Sequence, residues 1–544
     1  MKSSGGVHGI LSIDEELASG TGISAVILLL PVLLLLLSAS GVWLARNRAM
    51  RTQWGVSAAM ALAIWVVSLL LRLGPDLQYQ ISVWQPSEIF SSPLSLSMDT
   101  ISWPIMYAVV TVLVAMIFTA AARERETKTE ARVFWFLYSA CALLAISADN
   151  LLTVVITWTL FDFLSAVFLI GFLVYEAEMR QVLSRLGLNL FGVLLVLAGS
   201  AVSIAEGDGI SLVNPIHAPL SVFLLAMGAF VRLGLQPLHF NLPALLTERR
   251  GLGTLMRLYP PAIALTFLAR LFRAGIPDTT LGWFLVAGVG GALIGGLQWM
   301  LETDAIVGRQ YIILGISGVG ILAAASMPKE YLATVAAAVV ILLAGAVLSL
   351  TVIHTPSHRV FALGAAFLIL GIPWLPSSIL TNTASLAALM LWPGLLWALI
   401  MVVAMSMAIL GSLHLYFAEE LPWRTSESLV RMTYGLGLSL PVFTSIGIGF
   451  QLRPSIGLWT WILLGIQIAL VVLGYFALRK LPEGSAGRFQ INISRFDSAD
   501  VYERFGRAMG VFLQAVRGIA GLIEGEAAIL WIFAITTFLI LASG

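Results

Sequence analysis

The 544-residue chain has little charge. Lys, Arg, Asp and Glu make up 11% of it, against about 25% in a soluble globular domain. So few ionic groups cannot cover a surface that faces water on every side, which excludes a soluble enzyme and a disordered chain. The formal net charge is +1, so no field attracts a polyanion and nucleic acid is not an expected partner. Cysteine is nearly absent. Cys141 stands alone inside an apolar run, which excludes an intrachain disulfide, a cysteine metal cluster and a haem thiolate. Lysine is limited to Lys2, Lys128, Lys329 and Lys480, all in the tail or at loops. Only Lys2 precedes Asp14, Glu15 and Glu16. The basic start of a signal peptide is therefore missing, and the first apolar run is expected to be a retained span.

What is present is apolar length. Hydrophobic residues are 59% of the chain, and its mean hydropathy is +0.96. Runs long enough to cross a bilayer, which takes about 20 residues, fall near 22–45, 54–73, 100–122, 131–148, 150–175, 182–205, 217–236, 252–275, 280–300, 305–326, 328–353, 359–380, 384–411, 432–452, 456–478 and 525–543. Backbone groups in lipid must be paired within their own segment, so these runs are read as helices. None shows the short alternating segments of a barrel. The fold class is an all-α integral membrane protein of about sixteen transmembrane helices.

Loop charge suggests the orientation. Arg46, Arg48 and Arg51 follow the first run; Arg123, Arg125, Lys128 and Arg132 the third; Arg180 and Arg185 the fifth; Arg249 and Arg250 the seventh. Loops 74–98 and 207–216 hold no Lys or Arg. The positive-inside rule puts the basic loops in the cytoplasm and both termini outside, in a multi-pass protein of the cell membrane. Segment 499–523 differs from the rest. Val501, Phe505, Met509, Phe512, Val516 and Ile519 recur every three or four residues opposite Asp500, Glu503, Arg504, Arg507, Gln514 and Arg517. That spacing predicts an amphipathic helix on the membrane surface or on a partner.

Two runs carry breaking residues. Gly228 to Pro243 and Ala365 to Pro376 each contain an Ala-Phe step, a glycine four residues after the Phe, and two prolines. Proline removes a donor and clashes with the preceding turn, so both helices should break. Paired breaks in corresponding places point to a transporter built from repeats. Isolated proline kinks are the simpler alternative.

These residues carry a family resemblance. Leu96-Ser-Met-Asp99-Thr-Ile-Ser102, Asp149-Asn-Leu-Leu-Thr153 with Trp158, Arg232 through Gln236-Pro-Leu-His239 to Pro243, Leu252-Gly-Thr-Leu-Met-Arg257, Glu302-Thr-Asp304 and Gly371-Ile-Pro373 occur in that order. The chain resembles the antiporter-like membrane subunits of respiratory complex I, of Mrp-type cation/proton antiporters, and of related hydrogenases and inorganic-carbon uptake systems. The resemblance covers roughly residues 90–380. It implies inverted five-helix repeats. Residues 1–130 would hold helices one to three, 131–275 the first repeat half and 276–411 the second. Helices fourteen and fifteen would fill 412–478, a cytoplasmic loop and amphipathic helix 479–523, and a last span 524–544. It also implies work inside a multi-subunit complex, on protons or monovalent cations, with membrane and peripheral partner subunits and the lipid bilayer around it.

The departures bear on chemistry. The family's proton path is expected to use a Glu on the fifth helix, a Lys on the seventh, a His or Lys on the eighth and a Lys or Glu on the twelfth. Here the first position is Thr159, with Asp162 one turn away; the second is Arg232 and the third Arg257. From 331 to 418 the only Asp, Glu, Lys or Arg is Arg359. A buried Lys can release a proton because desolvation lowers its pKa, whereas Arg stays charged. An Asp162 facing Arg232 would form a static ion pair, and that structural reading weighs as much as transport. His239, after a proline break, is the best titratable candidate; a histidine bonded to freed carbonyls is the plain alternative. Charge buried in a membrane is a functional hypothesis by default, so Asp149, Asp162, Arg232, His239 and Arg257 are the ion-pathway candidates. Asp304, Glu302, Glu524 and Glu526 lie near helix ends, where capping or snorkelling accounts for them. No nucleotide, flavin or metal site is legible, so no cofactor and no catalytic centre is expected. At most the resemblance implies a subunit of a translocating quinone-type oxidoreductase. Gly288 to Gly296 reads as small-residue packing. Three functions follow: ion translocation through the first half, a non-conducting scaffold that docks partners, or the membrane partner of an inorganic-carbon uptake system.

Overall fold

The computed structural model describes residues 8–81, 93–122, 129–172, 176–234, 251–302, 305–351, 358–390, 392–417, 428–452 and 457–480. The described residues form sixteen α-helices and one strand pair. In chain order they are α1 (His8–Leu44), α2 (Met50–Leu70), β1 (Leu77–Ile81), β2 (Leu94–Met98), α3 (Ser102–Ala120), α4 (Thr129–Ser147), α5 (Leu151–Phe172), α6 (Glu176–Ala205), α7 (Pro219–Leu233), α8 (Leu252–Ala274) and α9 (Asp278–Leu301). The rest are α10 (Ala305–Ser326), α11 (Leu332–Leu350), α12 (His358–Ile369), α13 (Ser377–Leu389), α14 (Gly394–Phe417), α15 (Ser428–Leu452) and α16 (Leu458–Lys480). Thirteen are long and apolar enough to cross a membrane, as expected of a multi-pass all-α protein. The amphipathic segment 499–523 and the last apolar run, 525–543, lie outside the described residues.

Several boundaries differ from the apolar runs. Helix α1 begins well before residue 22, because hydropathy marks the lipid-facing stretch of a helix and not its hydrogen-bonded length. Arg180 and Arg185, expected in or near a loop, belong to α6. The run 359–380 is two helices. Residues 370–376 are non-helical, α13 takes up 377–389, and α14 starts at Gly394 instead of 384. The first break also appears. Helix α7 ends at Leu233 because Gly234 turns left-handed, with φ +68°, a conformation that glycine adopts without a Cβ penalty.

The strand pair was not among the expected elements. β1 runs antiparallel to β2, with Leu77 opposite Met98 and Ile81 opposite Leu94. Leu77, Tyr79 and Ile81 alternate with glutamines, and Leu94, Leu96 and Met98 with serines, a period-two signal. A single bridge from Leu96 to Ala148 ties the hairpin to the α4–α5 link, and one from Asn150 to Ser211 ties that link to the α6–α7 link.

The core forms around α3, α8 and α11, which are buried along all or nearly all of their length, while α2 and α16 bury only a minor share of theirs. α9 and α10 pack through glycine. A Cβ on Gly288 would lie 2.7 Å from the Leu322 backbone nitrogen, the close approach that small residues permit.

Candidate ion site in the first half of the bundle

Asn150 begins the site by capping α5. Its side-chain oxygen accepts from the Thr153 amide at 2.8 Å and the Thr153 hydroxyl at 2.7 Å, which satisfies a donor that the first helical turn leaves free. The capped helix then places Trp158 and Asp162 on one face, four residues apart. Asp162 lies in the middle of α5, roughly 17 Å along the axis from Leu151. Arg232 reaches it from the last turn of α7.

The contact is a two-pronged ion pair. Arg232 Nη2 lies 2.5 Å from Asp162 Oδ2 and Nη1 lies 3.1 Å from Oδ1. The side chains are 2% and 1% exposed. The guanidinium also sits 4.3 Å from the Trp158 ring centre, within cation–π range. Asn189 of α6 donates to Asp162 Oδ1 at 3.1 Å. A little further along, Arg185 Nη2 donates to the Met256 carbonyl at 3.0 Å and so joins α6 to α8. The next residue, Arg257, is buried on α8. Phe161 stacks on Tyr138 at 4.3 Å and Tyr138 on Tyr259 at 5.6 Å. These rings close one side of the pair, and the Tyr259 hydroxyl donates to the Val109 carbonyl on α3.

Asp149 belongs elsewhere. It stands at the hairpin end, before α5 begins, in a second cluster with Asp99, Arg270 and Arg273. Arg270 Nη1 lies 2.5 Å from Asp149 Oδ1 and 3.6 Å from Asp99 Oδ2. Arg273 pairs closely with Asp99 and reaches Asp149 at 3.6 Å. Two acids and two bases thus balance each other, and they fasten the residue after β2 and the α4–α5 link to the end of α8. Burial opposes ionisation of Asp99, but Arg270, the Ser102 amide and Arg273 outweigh it and hold its pKa down to about 2. Arg270, Arg273 and Asn189 carried no weight in the sequence reading. The first two end an apolar run and look like interfacial charges there. Asn189 looks like one polar residue on a lipid-exposed helix, and only its distance to Asp162 gives it a part.

Of the five candidates, the structure therefore brings Asp162 and Arg232 into contact, sets Arg257 beside the carbonyl that takes Arg185, and separates Asp149 from them. His239 lies outside the described residues. Thr159 spends its hydroxyl on the Val155 carbonyl, 2.7 Å away.

The second half has a break of the same kind with other contents. Ser377 Oγ caps the freed Leu370 carbonyl at 2.8 Å. Asn382 and Ser385 meet Thr460 of α16 at 3.2 and 3.3 Å. Beside the break is a cavity of about 10 Å³ lined by apolar residues, among them Ile316, Val340, Ile369, Leu380 and Met405. That is room for roughly one water, with no polar partner to hold it.

No protein-family profile and no curated protein matches the sequence. Solved structures do match in fold. A chain of the Mrp complex from Dietzia sp. DQ12-45-1b superposes with a TM-score of 0.65 at 17% identity, over 95% of this chain and 62% of that one. A chain of respiratory complex I from Thermus thermophilus, solved with bound aureothin, superposes with a TM-score of 0.58 at 16% identity, over 78% of this chain and 98% of that one. The chain spans under two thirds of the Mrp chain's length. Its fold is that of these two chains, in agreement with the resemblance carried by the motifs.

Proposed function

We propose, from the fold shared with chains of the Mrp complex and respiratory complex I, that this chain is a membrane subunit of a multi-subunit assembly of that kind. Its interior serves as a scaffold fastened by buried ion pairs, and translocation is left to partner subunits. One observation carries the reading: the buried, two-pronged Asp162–Arg232 pair. A relay needs a group that gains and loses a proton near ambient pH. Arginine does not release one. The pair therefore joins α5 to α7 as a fixed contact. The apolar filling beside the second break supports the same reading, because no ionisable side chain lines the cavity there.

A proton or cation path through the first half is the second reading. It is favoured by the gathering of Asp162, Arg232, Arg185 and Arg257 on α5 to α8, with His239 on the neighbouring segment. Flux through the reconstituted assembly separates the two. Asp162→Asn with Arg232→Leu removes both charges together and leaves none unpaired. The scaffold reading expects unchanged proton flux in this double variant and in His239→Ala. A tenfold or greater fall, with the complex still assembled, overturns it. A membrane partner of an inorganic-carbon uptake system shares the fold, and the subunits that co-purify with the chain tell it apart.

A further inference from the structure

The turn between α1 and α2 has no part in either ion cluster, yet it is built with care. α1 contributes Trp43 and Leu44, a short 3₁₀ turn follows at Ala45–Asn47, and α2 starts at Met50. Arg46, Arg48 and Arg51 are all exposed, and no Asp or Glu occurs between Glu16 and Asp76. The backbone that presents them is held from below. Buried Gln53 donates from Nε2 to the Arg46 carbonyl at 2.8 Å and to the Arg48 carbonyl at 2.9 Å. Its oxygen accepts from the Thr129 hydroxyl at 2.8 Å and from Arg132 Nη1 at 3.4 Å. A buried amide thus spends its hydrogen bonds on fixing a basic turn to the start of α4. The Arg46 guanidinium rests 4.2 Å from the Trp43 ring centre, which settles its direction.

The surroundings specify the ligand. Both neighbouring apolar spans, Val26–Asn47 and Met50–Leu73, end at this turn, so the arginines stand at the level where a bilayer turns from acyl chains to headgroups. Leu44 is 74% exposed, and Trp43 and Met50 are 50% exposed each. Further along the same helix, Leu37 is exposed as well. Fixed positive charge above an uncovered apolar wall fits a phosphodiester headgroup with acyl chains attached. A free phosphate would leave the wall unused.

We infer that the α1–α2 turn is a binding site for an acidic phospholipid, with Arg46 and Arg48 on the headgroup phosphate and Trp43 and Leu44 against the lipid body. This holds whether or not ions cross the chain. Each surface arginine contributes about 1 kcal/mol toward acidic lipid, so losing two weakens binding about thirtyfold.

The test uses the full chain in nanodiscs of phosphatidylcholine, with and without phosphatidylglycerol, extracted and weighed by native mass spectrometry. The wild type is expected to retain phosphatidylglycerol in preference to phosphatidylcholine, and less of it as salt rises. Arg46→Ala with Arg48→Ala should lose that preference, whereas Arg46→Lys with Arg48→Lys should keep most of it. Equal retention of both lipids by the wild type, an alanine variant that binds as the wild type does, or a lysine variant that loses as much as the alanine one each overturns the proposal. Displacement of the lipid by inorganic phosphate at matched concentration does so as well, since the apolar wall would then contribute nothing.

Discussion

Beside the end of α7 stand Asp162, Arg232, Asn189 and Trp158. Beside the break between α12 and α13 stand Thr381, Asn382, Ser385 and Thr460 with an apolar filling. A helix ends at both places, and both must satisfy the carbonyls set free there. In the second half neutral groups do this: the Ser377 hydroxyl and the Ile372 amide both donate to the Leu370 carbonyl. A broken membrane helix therefore does not require charge. The ion pair of the first half answers a different need, the neutralisation of an arginine and an aspartate that occupy the same dry interior. A buried pair is costly to dissolve and contributes little when compared with apolar packing.

The largest effect is expected from moving a charge into the apolar filling beside the second break. Val340→Asp puts an unpaired carboxylate beside a cavity with room for about one water. It should abolish monodisperse protein on size-exclusion chromatography; a well-folded variant would show that polar groups reach this cavity. Next comes Arg232→Leu, which strands Asp162 and should cost about 3–5 kcal/mol in thermal or denaturant unfolding. Adding Asp162→Asn should recover most of that loss, and failure to recover would mean that the contact is more than a neutralised pair. Trp158→Leu removes the aromatic face under Arg232 and should cost about 2 kcal/mol by the same measurement. The smallest effect concerns the cluster at the hairpin end. Asp99 is held at about 2, below its ordinary value of 3.8. It therefore adds stability above its unfolded pKa, and that stability is lost as pH falls toward 2. Protection of the Ile101 and Ser102 amides, both bonded to Asp99 Oδ1, should be unchanged from neutral pH to mildly acidic conditions in hydrogen exchange.

These comparisons rest on features of unequal legibility. Gly234 and the prolines at 373 and 376 announced both breaks, because a missing donor and a left-handed turn are local facts. Asp162 and Arg232 stood out because charge is rare in apolar runs, but their contact was only a conditional expectation. The hairpin went unread although Leu77, Tyr79 and Ile81 alternate with glutamine, since five alternating residues are a weak signal inside a long loop. The cluster at Asp99 was invisible in another way. Arg270 and Arg273 look like charges at a helix end, and their partners lie 121 and 174 residues away.

Composition and hydropathy by themselves determined that this chain is a helical membrane bundle, where most spans fall and where two of them stop. These are properties of a segment and its solvent, and lipid demands internally paired backbone whatever the neighbours are. Which buried charge meets which was decided by tertiary structure alone. Each residue turns a helix by about 100°, so the direction of a side chain follows from how the helix is rotated in the bundle. That rotation brings Arg232 of α7 onto Asp162 of α5 and turns Arg270 of α8 toward Asp149.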